Sequence, residues 1–206
     1  MILRNFAVIE GGDGSGTTTQ LALLKRRFQG AAVPFFATGE PGSGPIGVLI
    51  RRALKGEILL GRETIARLFA ADRGEHLYAR DGVVERCERG ELVVSDRYTP
   101  SSLVYQGLEC GEELPRKLNE DFPHPELLIY LDVPGEVAME RLKTRDEREI
   151  YERLDFQIRA ARAYRELLPR YEEAGVRVVS LDGTLKTGEV AAKLWTALRE
   201  MPIMKG

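Results

Sequence analysis

Five short apolar runs punctuate the chain, at residues 6–9, 33–37, 92–95, 127–133 and 176–181, with longer amphipathic stretches between them. Each run is apolar almost throughout instead of alternating with polar positions, which marks strands buried on both faces. Strands of that kind, alternating with helices, predict a mainly parallel sheet covered on both sides. Polar residues gather where the runs end: Glu10 and the residues after it, the stretch 38–42, then Asp96, Arg97 and Tyr98, and Asp132 near the end of the fourth run. Open parallel sheets bind ligands at the carboxyl ends of their strands, so these clusters are expected to form one site.

The stretch from about 64 to 80 reads as a helix whose stripe is Ile65, Leu68, Phe69, Asp72, Arg73 and His76. The first half of that stripe is a core face and the second half is charged. Burying Asp72 and Arg73 unpaired would be costly, so they either pair with each other and their neighbours or face a pocket. Phe69 and Arg73 stand four apart on one side of the helix, a ring beside a forked donor that suits a planar base. A core Phe above a surface ion pair is the alternative.

Residues 6–20, F-A-V-I-E-G-G-D-G-S-G-T-T-T-Q, run from the first apolar segment through a glycine cluster into a helical pattern carried by Leu21, Leu24 and Phe28. Strand, glycine loop and helix form the context of a phosphate-binding loop, in which successive N–H groups and a helix N-terminus converge on one anion. The frame is G-x-x-x-x-G-x-[ST], with Gly11 and Gly16 as its outer glycines and Thr18 offering a hydroxyl to Mg²⁺. Its usual lysine is Thr17 here, and the first lysine downstream is Lys25. A tight connection that binds nothing is the competing reading of this stretch alone.

The stretch 140–153 is dense in both charges. It reads either as a solvated helix face laced with ion pairs or as a lid that closes arginines over a polyphosphate. The chain has 206 residues and a net charge of −2, which argues against a nucleic-acid coat protein. Cys87 and Cys110 match no zinc or redox spacing and read as reduced residues of a cytoplasmic protein. No apolar run approaches the ~18 residues a membrane helix needs, and no signal-peptide pattern opens the chain. With no repeat or linker, residues 1–206 are expected to form one domain, its lid at about 141–153. Trp195 reads as packing, and 201–206 as a tail.

Together these segments resemble the thymidylate kinase family. The segment 6–20 is similar to F-x-E-G-x-D-G-x-G-K-[ST]-T-Q, T-G-E-P-G-S-G-P-I-G at 38–47 to T-R-E-P-G-G-T-x-I-G, and L-F-A-A-D-R-G-E-H at 68–76 to L-F-A-A-D-R-x-x-H. S-D-R-Y-T-P-S-S-L-V-Y-Q-G at 95–107 resembles D-R-Y-x-x-S-[ST]-x-A-Y-Q-G, and 128–141 resembles the family's fourth strand with the helix leading to its lid. The resemblance implies a P-loop NTPase fold, a five-stranded parallel sheet flanked by helices on both faces with a short helical lid. It implies phosphoryl transfer from ATP to dTMP with Mg²⁺, a homodimer, and no nucleic-acid or membrane partner.

By position, the resemblance implies that Gly11, Gly12, Asp13, Gly14, Ser15, Gly16, Thr17, Thr18 and Thr19 hold the ATP phosphates. The implied dTMP set is Asp13, Glu40, Pro41, Arg52, Phe69, Arg73, Arg97, Ser101, Ser102, Tyr105 and Gln106, with Phe69 stacking on thymine and Tyr105 disfavouring a ribose hydroxyl. Asp13, Asp96 and Arg97 are the implied catalytic residues, joined by Arg145, Arg148 and Arg153 of the lid, and Thr18 and Asp96 the metal ligands. Gly14 and Ser15 occupy the place where one subgroup carries a loop arginine, so the lid is expected to supply it. Two departures bear on catalysis: Thr17 replaces the loop lysine, and Gly39 the arginine of T-R-E-P. Losing one preorganised donor costs roughly 3–4 kcal/mol, about 10²–10³ in rate. Either a nearby cation (Arg97, Arg51, Arg52 or a lid arginine) fills the space, or the chain binds nucleotide with little turnover as a sensor or regulatory partner.

Overall fold

A computed structural model describes residues 1–143 and 150–205. Their elements run β1 (Ile2–Glu10), α1 (Thr17–Arg27), β2 (Phe35–Gly39), α2 (Pro45–Leu54), α3 (Arg62–Tyr78), α4 (Val83–Glu88), β3 (Leu92–Asp96), α5 (Thr99–Cys110), α6 (Glu113–Asn119), β4 (His124–Asp132), α7 (Gly135–Leu142), α8 (Leu154–Glu173), β5 (Arg177–Asp182) and α9 (Thr187–Arg199). The five strands form one parallel sheet in the order β2-β3-β1-β4-β5. The chain therefore reverses direction across β1, and the crevice at that switch opens above the carboxyl ends of β1 and β3.

The near-continuous apolar runs have a direct cause. Phe6, Val8, Val93, Leu128 and Tyr130 point into one core with α2, α3, α4, α5 and α8. Ala7, Ile9, Val94, Ile129 and Leu131 point into the other, with α1 and α9. Both faces are covered, so neither set alternates with polar residues. Trp195 packs edge-on against Phe28, as expected of a packing residue.

Boundaries differ from the periodicity in instructive ways. β1 begins at Ile2, because Ile2 and Leu3 pair with the start of β4 across a register shift that takes in the polar Arg4 and Asn5. Helix α1 begins at Thr17, with Gly16 at φ 97 as its cap. Residues 201–205 are no tail: Met201 is buried in the second core and opens a short 3-10 turn.

Candidate functional site

The loop leaves β1 as the pattern requires. Gly14 has φ 81, and a Cβ there would meet the Ala138 carbonyl oxygen of α7 at 2.6 Å, so only glycine fits the turn. The loop closes on itself through Ser15 N–H donating to Gly12 O at 3.1 Å, and α1 then starts with its free N–H groups facing the crevice. A cleft of about 250 Å³ opens from this point. Loop residues, Asp96, Glu40, Phe69, Arg73 and Tyr105 all line it.

Thr18 Oγ1, in the first turn of α1, donates to Asp96 Oδ2 at 2.6 Å. The other oxygen, Asp96 Oδ1, is buried with no hydrogen-bond partner among the described residues. Arg97 follows with φ 70, in the left-handed region, and its guanidinium swings over the loop. It donates to Asp13 Oδ1 at 2.6 Å, to Gly11 O at 3.1 Å and to Ser101 Oγ at 3.2 Å. Asp13 is held from other directions as well. Gln157 Nε2 of α8 donates to Asp13 Oδ2 at 2.9 Å, while the Asp13 N–H donates to Tyr105 Oη at 3.0 Å and to Gln157 Oε1 at 3.1 Å.

The charged half of the α3 stripe resolves both ways. Asp72 Oδ2 accepts the Gly42 N–H at 2.6 Å, its carboxyl pushed upward mainly by burial. His76 bridges Thr38 Oγ1 at 2.7 Å and Glu40 Oε1 at 3.1 Å. Arg73, 1% exposed, lines the cleft beside Phe69 and donates to Glu40 Oε2 at 2.6 Å, Ser102 Oγ at 3.0 Å and Asn119 Oδ1. Its Nε has no partner among the described residues.

Most sequence-expected residues thus converge on one cleft: Gly12, Asp13, Gly14, Gly16, Thr17, Thr18, Thr19, Glu40, Pro41, Phe69, Arg73, Asp96, Arg97, Ser101, Ser102, Tyr105 and Gln106. Gly11 packs behind it through its carbonyl on Arg97, and Ser15 turns inward. Arg52 does not line the cleft. It lies on the outer side of α2, half-exposed and paired with Glu57 at 3.1 Å. Arg51 lines the cleft instead, donating to Pro41 O at 2.7 Å and Gly42 O at 2.6 Å. Successive helical residues point about 100° apart, and the buried stripe Gly47, Ile50, Leu54 carries Arg51 inward. Arg153 is likewise outside the cleft, 63% exposed and turned to Asp155. Arg145 and Arg148 lie outside the described residues.

Sequence reasoning missed Gln157, Tyr151 and Glu152, which reach the cleft or its loop from the start of α8 and the turn before it. It also missed Asn119 behind Arg73 and the task of Arg141, which reaches from α7 to Gly14 O at 3.4 Å and Gly183 O at 2.9 Å. Gln157, Asn119 and Arg141 carry no local signal, because each acts across more than forty residues of sequence.

A parallel sheet with a glycine loop at its switch point, a hydroxyl–carboxylate pair beside that loop and a ring and an arginine in the same cleft define a P-loop nucleotide-binding protein. The family model described as thymidylate kinase matches residues 9–194. The chain is 39% identical to a "Putative thymidylate kinase" of Treponema pallidum (strain Nichols), covering 99% of both chains. It is 40% identical to one of the same description from Aeropyrum pernix, over 92% of this chain and 95% of that one. A "Thymidylate kinase" of Synechococcus sp. is 35% identical over 94% and 93%. The chain belongs to the thymidylate kinase family. Among the described residues no helix is long and apolar enough to cross a membrane.

Proposed function

We propose that this chain transfers the γ-phosphoryl group of ATP to a phosphate oxygen of dTMP, giving dTDP and ADP. The observation that carries the reading is continuity: one cleft of about 250 Å³ joins the phosphate loop to the Phe69–Arg73 pocket, with Asp13 and Arg97 bound to each other between them. Donor phosphates sit on the N–H groups of the loop and α1, and a hollow beyond the loop, lined by Gly14, Gln20, Arg141 and Thr187, lies next to them for the donor nucleoside. Phe69 stacks on the acceptor base, Arg73 and Ser102 bond its edge, and Tyr105 crowds the sugar. Arg97 meets the acceptor phosphate and neutralises charge developing on the transferred group.

Mg²⁺ fits the Thr18–Asp96 corner. Both offer hard oxygen donors, and the partnerless Asp96 Oδ1 is an acceptor that a hydrated cation satisfies. Bound there, it would neutralise and orient donor phosphates. The lid arginines Arg145 and Arg148 are placed at those phosphates by the resemblance alone, as is a homodimer, which sedimentation of the purified chain tests.

Coupled turnover with ATP and dTMP, dUMP, dCMP or dGMP tests the proposal, and a preference for a non-thymine acceptor overturns it. Thr17 and Gly39 favour a second reading, tight nucleotide binding with little chemistry, and dTMP binding without turnover would establish that one. Restoring an arginine at Gly39 is no simple repair: a Cβ there meets Asp96 O at 3.0 Å, so β2 and β3 must part slightly.

A further inference from the structure

The last residue of β1, Glu10, is a carboxyl with no exposure, following four fully buried apolar residues. The proposed chemistry does not use it, yet every one of its acceptor positions is engaged. Oε1 accepts the N–H of Tyr98 at 2.8 Å and of Ser101 at 3.3 Å. Oε2 accepts the hydroxyls of Ser101 at 2.6 Å and Tyr164 at 2.9 Å.

Two of these donors are N–H groups at the start of α5, one on its capping residue Tyr98 and one on Ser101 in the first turn. That helix has no side-chain cap of its own, and Pro100 in its first turn has no N–H. Glu10 caps α5 from a different strand, where a negative charge also suits the helix dipole. Between β3 and this cap stands Arg97 at φ 70, a strained conformation for a non-glycine residue that persists only when its surroundings enforce it. Its N–H is fixed on Ile9 O at 3.0 Å and its carbonyl on Ser95 Oγ at 2.8 Å. Glu10 fixes the next residue's N–H. Ser101 extends the hold to the side chain, because its hydroxyl donates to Glu10 while its oxygen accepts from Arg97 at 3.2 Å.

We propose that Glu10 is a positioning residue for phosphoryl transfer: its carboxylate, through the cap of α5 and the Ser101 hydroxyl, sets the backbone turn and aim of Arg97. This rests on Arg97 acting at the transferred group. Proton inventory gives the mechanism a polarity. An anionic Glu10 accepts two N–H and two O–H bonds; a protonated one has a hydrogen to place, so a hydroxyl must turn away and the cap weakens. Burial pushes this carboxyl up to about 7, against the opposing pull of Ser101, Arg97, Tyr164 and the Tyr98 N–H. The other titratable groups facing it are Tyr98 at the start of α5, Tyr130 from β4 and Tyr171 from α8.

The test is kcat and KM for dTMP across pH 5.5–9 for wild type, Glu10→Gln and Tyr164→Phe. Glu10→Gln keeps the shape but fixes the group neutral. Its kcat is expected to fall about 10–100-fold at pH 8, the scale of an approximately 1 Å misplacement, with KM for dTMP within about twofold of wild type. The ratio of wild-type to mutant kcat should shrink as pH falls below 7. Tyr164→Phe, which removes one hydroxyl from the carboxylate and touches no substrate, should move the acid limb of wild type upward. A merely structural Glu10 lowers the melting temperature but leaves that ratio flat and the limb in place, which overturns the proposal. Should Glu10→Gln not fold, the limb in Tyr164→Phe decides by itself. Wild type that never phosphorylates dTMP instead removes the functional reading on which the role depends.

Discussion

Asp13 and Gln157 are bound twice across 144 positions of sequence: Gln157 Nε2 donates to Asp13 Oδ2 at 2.9 Å, and Gln157 Oε1 accepts the Asp13 N–H at 3.1 Å. Gln157 is buried on the first turns of α8 and also donates to Tyr151 O at 3.0 Å. One amide therefore orients the loop carboxylate that carries Arg97. In Gln157→Ala the N–H of Asp13 keeps Tyr105, but its Oδ2 loses its neutral donor. Steady-state kinetics should show kcat down about 10–100-fold with KM for ATP little changed. Wild-type kcat in a folded Gln157→Ala protein would show that Arg97 alone suffices to hold Asp13.

Thr18 and Asp96 make the second test. If the pair holds the cation, the Mg²⁺ concentration for half-maximal turnover should rise at least about tenfold in Asp96→Asn, since a carboxylate is the stronger ligand for a hard divalent ion. Thr18→Ala should move it in the same direction. Titrating Mg²⁺ at fixed ATP measures both, and an unchanged half-point in both variants would sink the assignment.

What was legible in the sequence follows the range over which each part acts. The loop, the α3 stripe and the segment 95–107 are local patterns: a φ near 97 at Gly16 or a four-residue spacing is written in adjacent residues. The sheet was legible because its strands are buried on both faces, which leaves unbroken apolar runs. Arg51 and not Arg52 lines the cleft, a placement already contained in the phase of Gly47, Ile50 and Leu54. Gln157, Asn119 and the task of Glu10, though not its place at the strand end, were illegible for a different reason. Each is a common polar residue whose meaning appears only when α8, α6 or α5 packs beside it.

The acceptor pocket predicts a kinetic split. Phe69 is partly exposed to the cleft and contributes a face, while Arg73 is bound behind it to Glu40, Ser102 and Asn119. Phe69→Ala removes stacking worth about 1–3 kcal/mol per base. KM for dTMP should therefore rise about 10–100-fold with a smaller change in kcat. Equal KM values would place the base elsewhere.

Glu10 also sets a pH dependence of stability. Its carboxyl sits at about 7 in the folded chain against an ordinary 4.5, so the folded state retains a proton there that the unfolded state releases. Stability from this group is greatest at the acidic end and is lost as pH rises from about 4.5 to 7, a total on the order of 3 kcal/mol. Asp72, also raised, adds in the same sense. Melting temperatures from pH 5 to 7.5 should fall less steeply in Glu10→Gln than in wild type. Parallel curves would contradict a carboxyl titrating in that window.

Thr17 occupies the position of the usual loop lysine. Thr17 is the buried first residue of α1 and lines the cleft, so a longer side chain there would project into the space proposed for the donor phosphates. The loop is already flanked by Arg97, bonded to Gly11 O, and by Arg141, bonded to Gly14 O. Field from a cation at either place acts on the same phosphates at close range in a partly dry cleft, where each charge counts for more than in water. Thr17→Lys is therefore expected to lower KM for ATP and to raise kcat by less than about tenfold, whereas Arg97→Ala should cost about 10³ or more. A gain of about 10²–10³ in kcat for Thr17→Lys would mean that Arg97 does not stand in for the lysine and that the wild-type loop is catalytically incomplete.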